Sequence, residues 1–285
     1  MELLYYNWLP TISDHILDLP YKFYESAGAL PRHDYPDFIV ENINDGELVF
    51  IKTDLLEYFF NNYYNKINVK FILITGISSI TINPKYEQYL NDKIYYWIGP
   101  NIPWNNENTL KIPIGFEERD RDGGDQKVLN DALKYVNINK KDKMVVSYMS
   151  DTHPTRKQFI EKYKECDYID FLDKLKFKDY IAKLGEYQFV LCPPGVGTDT
   201  HRFWETLLVG GVPIVETSTL DDLYSKFPCI IVKSILDIDR NLLIKPDISM
   251  NEIKNYLLTN NLKNKIMEIK DSHYSELSNK NTVEK

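Results

Sequence analysis

Short apolar runs, separated by longer stretches with helical spacing of hydrophobic residues, recur along most of the chain. This is the pattern of parallel strands covered by helices, so an α/β fold is expected. In the first part, Phe38–Val40, Leu48–Ile51, Phe71–Thr75, Ile94–Trp97 and Lys111–Ile114 predict strands, while Asp54–Tyr64 and Tyr86–Asn91 predict helices. The segment from Glu117 to Gln126 is too charged to bury and carries Gly123 and Gly124 as joints, which sets a boundary between a unit at 1–118 and a second at 119–285. Beyond it the pattern predicts a connecting helix over Lys127–Tyr135 and a strand over Met144–Met149. Helix Thr155–Lys164, strand Tyr168–Phe171, helix Lys178–Leu184, strand Tyr187–Cys192, helix Thr200–Val209 and strands Val212–Val215 and Cys229–Val232 follow. Met250–Tyr274 reads as a charged helix, and Asn279–Lys285 should fray.

Composition narrows the class. Of 285 residues, 43% are hydrophobic and 13% aromatic, enough for a core without disulfide or metal staples. Asp plus Glu outnumber Lys plus Arg by 42 to 34, and the net charge of −8 disfavours nonspecific adhesion to nucleic acid or anionic lipid. Cys166, Cys192 and Cys229 form no Cys-x-x-Cys and no Cys/His cluster, and read as reduced core thiols. The first residues, with Glu2, Tyr5, Tyr6, Asn7 and Trp8, lack the basic start and apolar run of a signal peptide. No stretch approaches the ~20 apolar residues of a membrane span. The expectation is a soluble, cytoplasmic protein with neither membrane insertion nor a nucleic-acid partner.

The chemistry concentrates between Tyr187 and Val215. Phe189, Val190, Leu191 and Cys192 make an unbroken apolar strand, which Pro193, Pro194, Gly195 and Gly197 stop. Asp199 or Thr200 can cap the helix that follows, and Gly210 and Gly211 end it. At ~100° per residue, Phe203, Trp204, Leu207 and Leu208 share one side of this helix. His201, Arg202 and Glu205 share the other, which must face solvent or a ligand. A glycine loop between a parallel strand and a helix N-terminus presents free amides and the positive dipole end to the crevice, and so suits an anion. Arg202 can pair with a phosphate there, and Glu205 can accept from two ribose hydroxyls; together they fit a nucleoside diphosphate. The plain alternative is an i,i+3 ion pair on a solvated face, worth ~0.2–0.5 kcal/mol, but it explains neither the double proline nor the two loop glycines. From the adjacent strand, the turn Ser150-Asp-Thr-His-Pro-Thr-Arg156 can bring Ser150, Thr152 and Arg156 to the same phosphates, while His153 reads as a turn residue.

The run from Pro193 to Val215 resembles the C-terminal signature of exostosin-like glycosyltransferases at Pro193, Pro194, Gly195, Arg202, Glu205, Gly210, Gly211 and Pro213. An Arg after a Ser/Thr turn, as at Arg156, resembles a diphosphate ligand of exostosin-like and fucosyltransferase-like sequences. The resemblance, which covers about the last half of the chain, implies a GT-B-like fold: two Rossmann-like domains whose parallel sheets flank a cleft. It implies a UDP-sugar co-substrate, a glycan acceptor and no other cofactor. The donor site would hold Ser150, Thr152, Arg156, Pro194, Gly195, Gly197, Thr200, His201, Arg202 and Glu205. Asn101 and Gly115, in the strand-end loops Trp97–Asn101 and Lys111–Gly115, would face the cleft, and Ile74–Ser79 would line its acceptor side. The absence of an anchor makes the chain similar to the short forms of large DNA viruses or microbes, which implies pentose transfer, such as xylose, to a viral or cell-surface glycan.

An inverting transfer needs a base near the attacking hydroxyl. His33 and Asp34, in a loop between Pro31 and Pro36, are the catalytic candidates taken forward, with Asp14–His15 and Glu117–Glu118 as others. Relatives carry an acidic residue near the Ile74–Ser79 turn, where this chain has serines, so no base transfers by motif. Asp-x-Asp occurs only at Asp120–Asp122 and Asp237–Asp239, without further ligands nearby, so no metal site is expected. Arginines and helix dipoles can stabilise a departing diphosphate in its place. A dinucleotide oxidoreductase is disfavoured because the loop lacks Gly-x-Gly-x-x-Gly spacing. A non-catalytic nucleotide- or carbohydrate-binding module is the remaining alternative, distinguished by affinity without turnover.

Overall fold

The computed structural model describes residues 3–5, 7–18, 38–90, 92–119, 121–136, 138–246 and 259–283, with side chains to His273. Five strands, β1 (His15–Leu17), β2 (Leu48–Lys52), β3 (Phe71–Gly76), β4 (Ile94–Gly99) and β5 (Thr109–Lys111), pair in parallel in the order of the chain. Five more, β6 (Lys141–Val146), β7 (Ile169–Phe171), β8 (Tyr187–Leu191), β9 (Val212–Glu216) and β10 (Ile230–Val232), form a second all-parallel sheet in the order β10-β9-β8-β6-β7. The chain thus has the α/β architecture of two Rossmann-like sheets that the GT-B-like expectation requires.

Both sheets are covered on two faces, which is why their central strands are apolar without alternation. β2 and β3 are buried along their whole length. In the first sheet, Val49, Ile51, Leu73 and Trp97 pack on Phe59 and Phe60 of α1 (Leu56–Asn62). The other face, with Leu48, Phe50, Ile72, Ile74 and Ile98, joins a cluster that runs through to Val145, Val190, Phe203 and Trp204 in the second half. A third cluster packs Met144, Val146, Phe189 and Leu191 on Phe159 and Tyr163 of α3 (Pro154–Tyr163).

Local chemistry sets the helix starts. Asp125 caps α2 (Gln126–Ala132) by accepting from the amides of Lys127 and Val128. Pro154 opens α3 at the first position, where its missing N–H is no loss. α4 (Phe177–Gly185), α5 (His201–Leu208), α6 (Asp221–Tyr224) and α7 (Thr259–Val283) are the further α-helices among the described residues. Between α2 and β6, the Lys140 ammonium gathers the carbonyls of Tyr135 (3.0 Å), Gly185 (2.6 Å) and Val209 (2.8 Å) at the ends of three helical segments. α7 returns to the first half: Thr259 Oγ1 donates to Leu3 O, Lys270 pairs with Asp14 at 2.6 Å, and His273 lies on the Tyr95 ring. No helix among the described residues is long and apolar enough to cross a membrane.

Several expectations shift. Phe38–Val40 is not a strand; Val40 opens a 3-10 turn to Asn42, and the first strand is instead β1, three residues without an apolar run to mark it. β5 ends where Lys111–Ile114 was expected to begin, and β6 starts three residues before Met144. Tyr86–Asn91 is replaced by a 3-10 helix over Pro84–Tyr89, begun by Pro84 and capped by Asn83. Most described residues of the charged run from Glu117 stay outside the core, as expected, but two do not: Glu118 is 3% exposed and paired with Arg121 at 3.5 Å, and Gly124 is buried, where a Cβ would lie 1.8 Å from the Glu118 carbonyl. α7 extends to Val283, into the segment expected to fray from Asn279. Cys166, Cys192 and Cys229 are free thiols, with Cys192 buried.

Candidate functional site

From β6 the chain moves to one side to form β7 and then returns to place β8 on the other, so the strand order of the second sheet reverses between β6 and β8. At such a switch point the flanking loops part and leave a crevice at the carboxyl ends of the strands. The loop after β6 leads into α3 with Arg156, and the loop after β8 leads into α5 with Arg202.

Arg156 is 8% exposed. Its Nε donates to Pro194 O at 2.9 Å and its Nη1 to Ser150 O at 3.2 Å, so it ties the two loops together. A Cβ on Gly195 would stand 2.9 Å from Arg156 Nη2 and 3.7 Å from Thr152 Oγ1, which explains the glycine: any side chain would fill the space before the guanidinium. Arg202 is half-buried; its Nη2 donates to Tyr148 O at 3.0 Å, and its Nε is buried with no hydrogen-bond partner among the described residues. Burial and the neighbouring Arg202 charge pull Arg156 down to about 10. Ser150, Thr152, Arg156, Pro194, Gly195 and Arg202 therefore converge, as the sequence suggests.

The rest of the glycine loop turns toward the first sheet. A Cβ on Gly197 would lie 1.7 Å from Ser79 O, and His201 Nδ1 lies 2.7 Å from Gly115 O. Asn101 is buried with a φ of 53°, and both it and Gly115 face this loop. Thr200 is the N-cap of α5 without a side-chain cap bond. Asp199 does not cap either: its carboxylate accepts from Ile114 N (2.7 Å), Trp204 Nε1 (3.0 Å) and Tyr224 OH (3.2 Å). Burial pushes it up to about 6 in spite of these donors. The sequence names Asp199 only as a cap; its real partners lie 85 residues upstream and one turn or more downstream.

Glu205 departs most from expectation. It is not on an open charged face but 6% exposed, with Oε2 accepting from Tyr180 OH at 2.7 Å. Burial raises its carboxyl against the Tyr180 bond and the His201 and Arg202 charges. Tyr180 comes from α4, which packs beside α5 and covers its polar side, and Phe203 through Leu208 are all buried.

His33 and Asp34 lie outside the described residues. Asp14 and His15 sit at the amino end of β1, away from the strand-end loops; Asp14 accepts from Leu48 N at 2.8 Å, and His15 Nε2 is 2.6 Å from Glu47. Arg121 lies between Glu118 (3.5 Å) and Glu117 (4.0 Å), and Glu117 also reaches toward His201 Nε2 at 3.8 Å. Of the Asp-x-Asp carboxylates, Asp237 pairs with Lys162 at 3.7 Å and Asp239 caps a 3-10 turn; Asp120 lies outside the described residues. Among the described residues no three His, Cys, Asp or Glu side chains gather as a metal site.

Beside the glycine loop, a cavity of about 180 Å³ is lined by His153, Cys192, Pro194, Thr198, Glu216, Ser218 and Tyr224. A larger one, about 310 Å³, lies between the first residues and α7, away from the switch point, with Tyr5, Trp8, Arg119 and Lys263 in its wall.

No protein-family model and no curated protein sequence matches the chain. Among solved structures it is similar to one described as trehalose-6-phosphate from E. coli bound with UDP-2-fluoro glucose, at 10% identity and a TM-score of 0.44, over 84% of this chain and 74% of that one. It is also similar to alpha,alpha-trehalose 6-phosphate synthase from Burkholderia multivorans, at 10% identity and a TM-score of 0.39, over 85% and 74%.

Proposed function

We propose that this chain is a glycosyltransferase that takes a sugar from a UDP-sugar, with no metal ion, and passes it to a glycan. One observation carries the reading: two guanidiniums, Arg156 and Arg202, are brought together at the switch point of a parallel sheet, before a glycine that keeps the space open. Glu205 offsets the Arg202 charge from one side, whereas the Arg156 bonds to Pro194 and Ser150 go to neutral carbonyls; like charges placed together repel, and two arginines on adjacent loops suit a diphosphate. As the donor bond breaks, negative charge grows on the leaving diphosphate, and fixed guanidiniums stabilise it without reorganisation.

In this reading the nucleobase lies against the Tyr148 ring, which is 52% exposed beside Arg202 and has Lys174 Nζ 5.9 Å from its centroid. The ribose hydroxyls bond to Glu205 Oε1, since Tyr180 occupies Oε2. The sugar enters the 180 Å³ cavity, whose His153, Glu216 and Ser218 suit hydroxyl groups. The acceptor proton goes to Glu117 or to the His33–Asp34 loop. An exostosin-like, pentose-transferring enzyme of a viral or cell-surface glycan pathway, working in the cytoplasm, is the finer form of the proposal.

Calorimetric titration with UDP and with inorganic pyrophosphate, followed by a turnover assay over a panel of sugar nucleotides, tests it. Glu205→Gln keeps an acceptor for Tyr180 but loses charge-assisted bonds of about 1.5–3 kcal/mol. It should weaken UDP binding and leave pyrophosphate binding unchanged or slightly tighter; equal losses for both ligands would remove the ribose role. Tight UDP binding without turnover on any donor would make the chain a binding module instead.

A further inference from the structure

Among the bonds that fasten the loop shaping the arginine site to the first half of the molecule, one is made by a buried carboxylate. Asp199, 1% exposed, accepts the Ile114 amide from the segment after β5 and, from its own half, the Trp204 indole N–H and the Tyr224 hydroxyl. Its own amide donates to Asn101 Oδ1 at 2.7 Å, from the segment after β4. Two residues earlier, Gly197 packs on the Ser79 carbonyl, and the Thr198 amide donates to Thr81 Oγ1 at 3.2 Å. Inward along the loop, the Gly195 amide bonds to Gly197 O at 2.9 Å, and Pro194 O receives Arg156 Nε. A continuous chain of contacts thus leads from Ile114 and Asn101 to Arg156.

A carboxylate is a costly group to bury. Against that cost, the hydrogen bonds from the Ile114 amide, Trp204 and Tyr224 favour its ionised form. What the carboxylate does that an amide cannot is to accept from all three donors at once, two in one half and one in the other. We propose that Asp199 is a positioning residue that fixes the Gly195–Thr198 loop, and with it the Arg156 side of the anion site, to the strand-end loops of the first sheet. Occupation of the arginine site is then felt at Ile114. The inference rests on the reading of Arg156 and Arg202 as an anion site.

Asp199→Asn preserves volume but turns an amide donor onto Ile114 N–H or Trp204 Nε1–H. Hydrogen exchange at the Ile114 amide reads the tie directly, with UDP as the probe. In the wild type, saturating UDP should slow Ile114 exchange by about tenfold. In Asp199→Asn, exchange without ligand should be about tenfold faster than in the wild type, UDP should no longer slow it, and the amides of β6 and β8 should keep their protection. Asn101→Gly suits the positive φ, removes the acceptor of the Asp199 amide, and should weaken the same coupling; it decides the matter if Asp199→Asn does not fold. Wild-type-like Ile114 exchange in a folded Asp199→Asn, or UDP slowing it as in the wild type, overturns the proposal. If the wild type itself binds no UDP, the anion-site reading fails, and the ligand-free exchange still decides whether Asp199 holds the loop.

Discussion

The two sheets are built from the same parts, five parallel strands each, yet only one of them reverses its strand order. In the first sheet each strand is added beside its predecessor, so neighbouring loops follow one another along the edge. In the second the chain doubles back between β6 and β8, and the two loops that part there carry Arg156 and Arg202. The first sheet's strand-end residues, Asn101, Ile114 and Gly115, are used instead to grip the glycine loop of the second. Sheet type does not decide where a ligand site can form; connection order does.

The largest effect that tests this contrast comes from the switch point. Arg156→Ala combined with Arg202→Ala should abolish measurable UDP binding in calorimetry, since each charge-assisted contact is worth about 1.5–3 kcal/mol. Retained binding would break the contrast outright.

A second effect concerns the buried tie between the halves and its dependence on pH. Asp199 has a folded value near 6 against an unfolded one near 3.8, so the native state holds the proton more tightly. Its contribution to stability is therefore fullest below pH about 4 and falls as pH rises through about 6. Chemical denaturation of the wild type relative to Asp199→Asn should show a difference that declines by about 2–3 kcal/mol between those limits, at about 1.4 kcal/mol per pH unit. A difference that is flat with pH, or that grows as pH rises, would contradict this.

A third prediction belongs to the first sheet alone. Trp97 Nε1 donates to Thr75 Oγ1 at 3.0 Å inside the core, with no loop of the arginine site nearby in sequence. Thr75→Val leaves that N–H buried without its acceptor and should cost about 1–3 kcal/mol of stability. UDP affinity should not change; a parallel loss of affinity would show the halves to be less separable than their topology implies. The smallest expected effect is none: EDTA should leave donor binding and turnover intact, and strict dependence on added Mn²⁺ would refute a metal-free mechanism.

The central strands were legible because double burial writes them as unbroken apolar runs, as at Phe71–Ile74 and Phe189–Leu191. So was the convergence of Ser150, Thr152, Arg156, Gly195 and Arg202, since strand, turn and helix followed one another locally in both loops. Two features were not. Glu205 looked solvent-facing because a helical wheel sees one partner surface, whereas α4 also covers α5 and sets Tyr180 against this carboxylate. Asp199 looked like a cap because its deciding partners, Asn101 and Ile114, stand 98 and 85 residues away, beyond any local pattern. β1 escaped notice for a related reason: three residues are too short to show a period, and their pairing with β2, His15 to Val49, lies outside any local pattern.

The return of α7 to the first half bears on how the protein is made. Thr259 bonds to Leu3 across 256 residues of chain, and Lys270 reaches Asp14 over the same span. At about 5–20 residues per second, those 256 residues take about 13–50 s to synthesise. For the part of that interval that follows synthesis of β5, the nascent first sheet waits with the contacts of Leu3, Asp14 and Tyr95 to α7 unmade, until Thr259, Lys270 and His273 arrive.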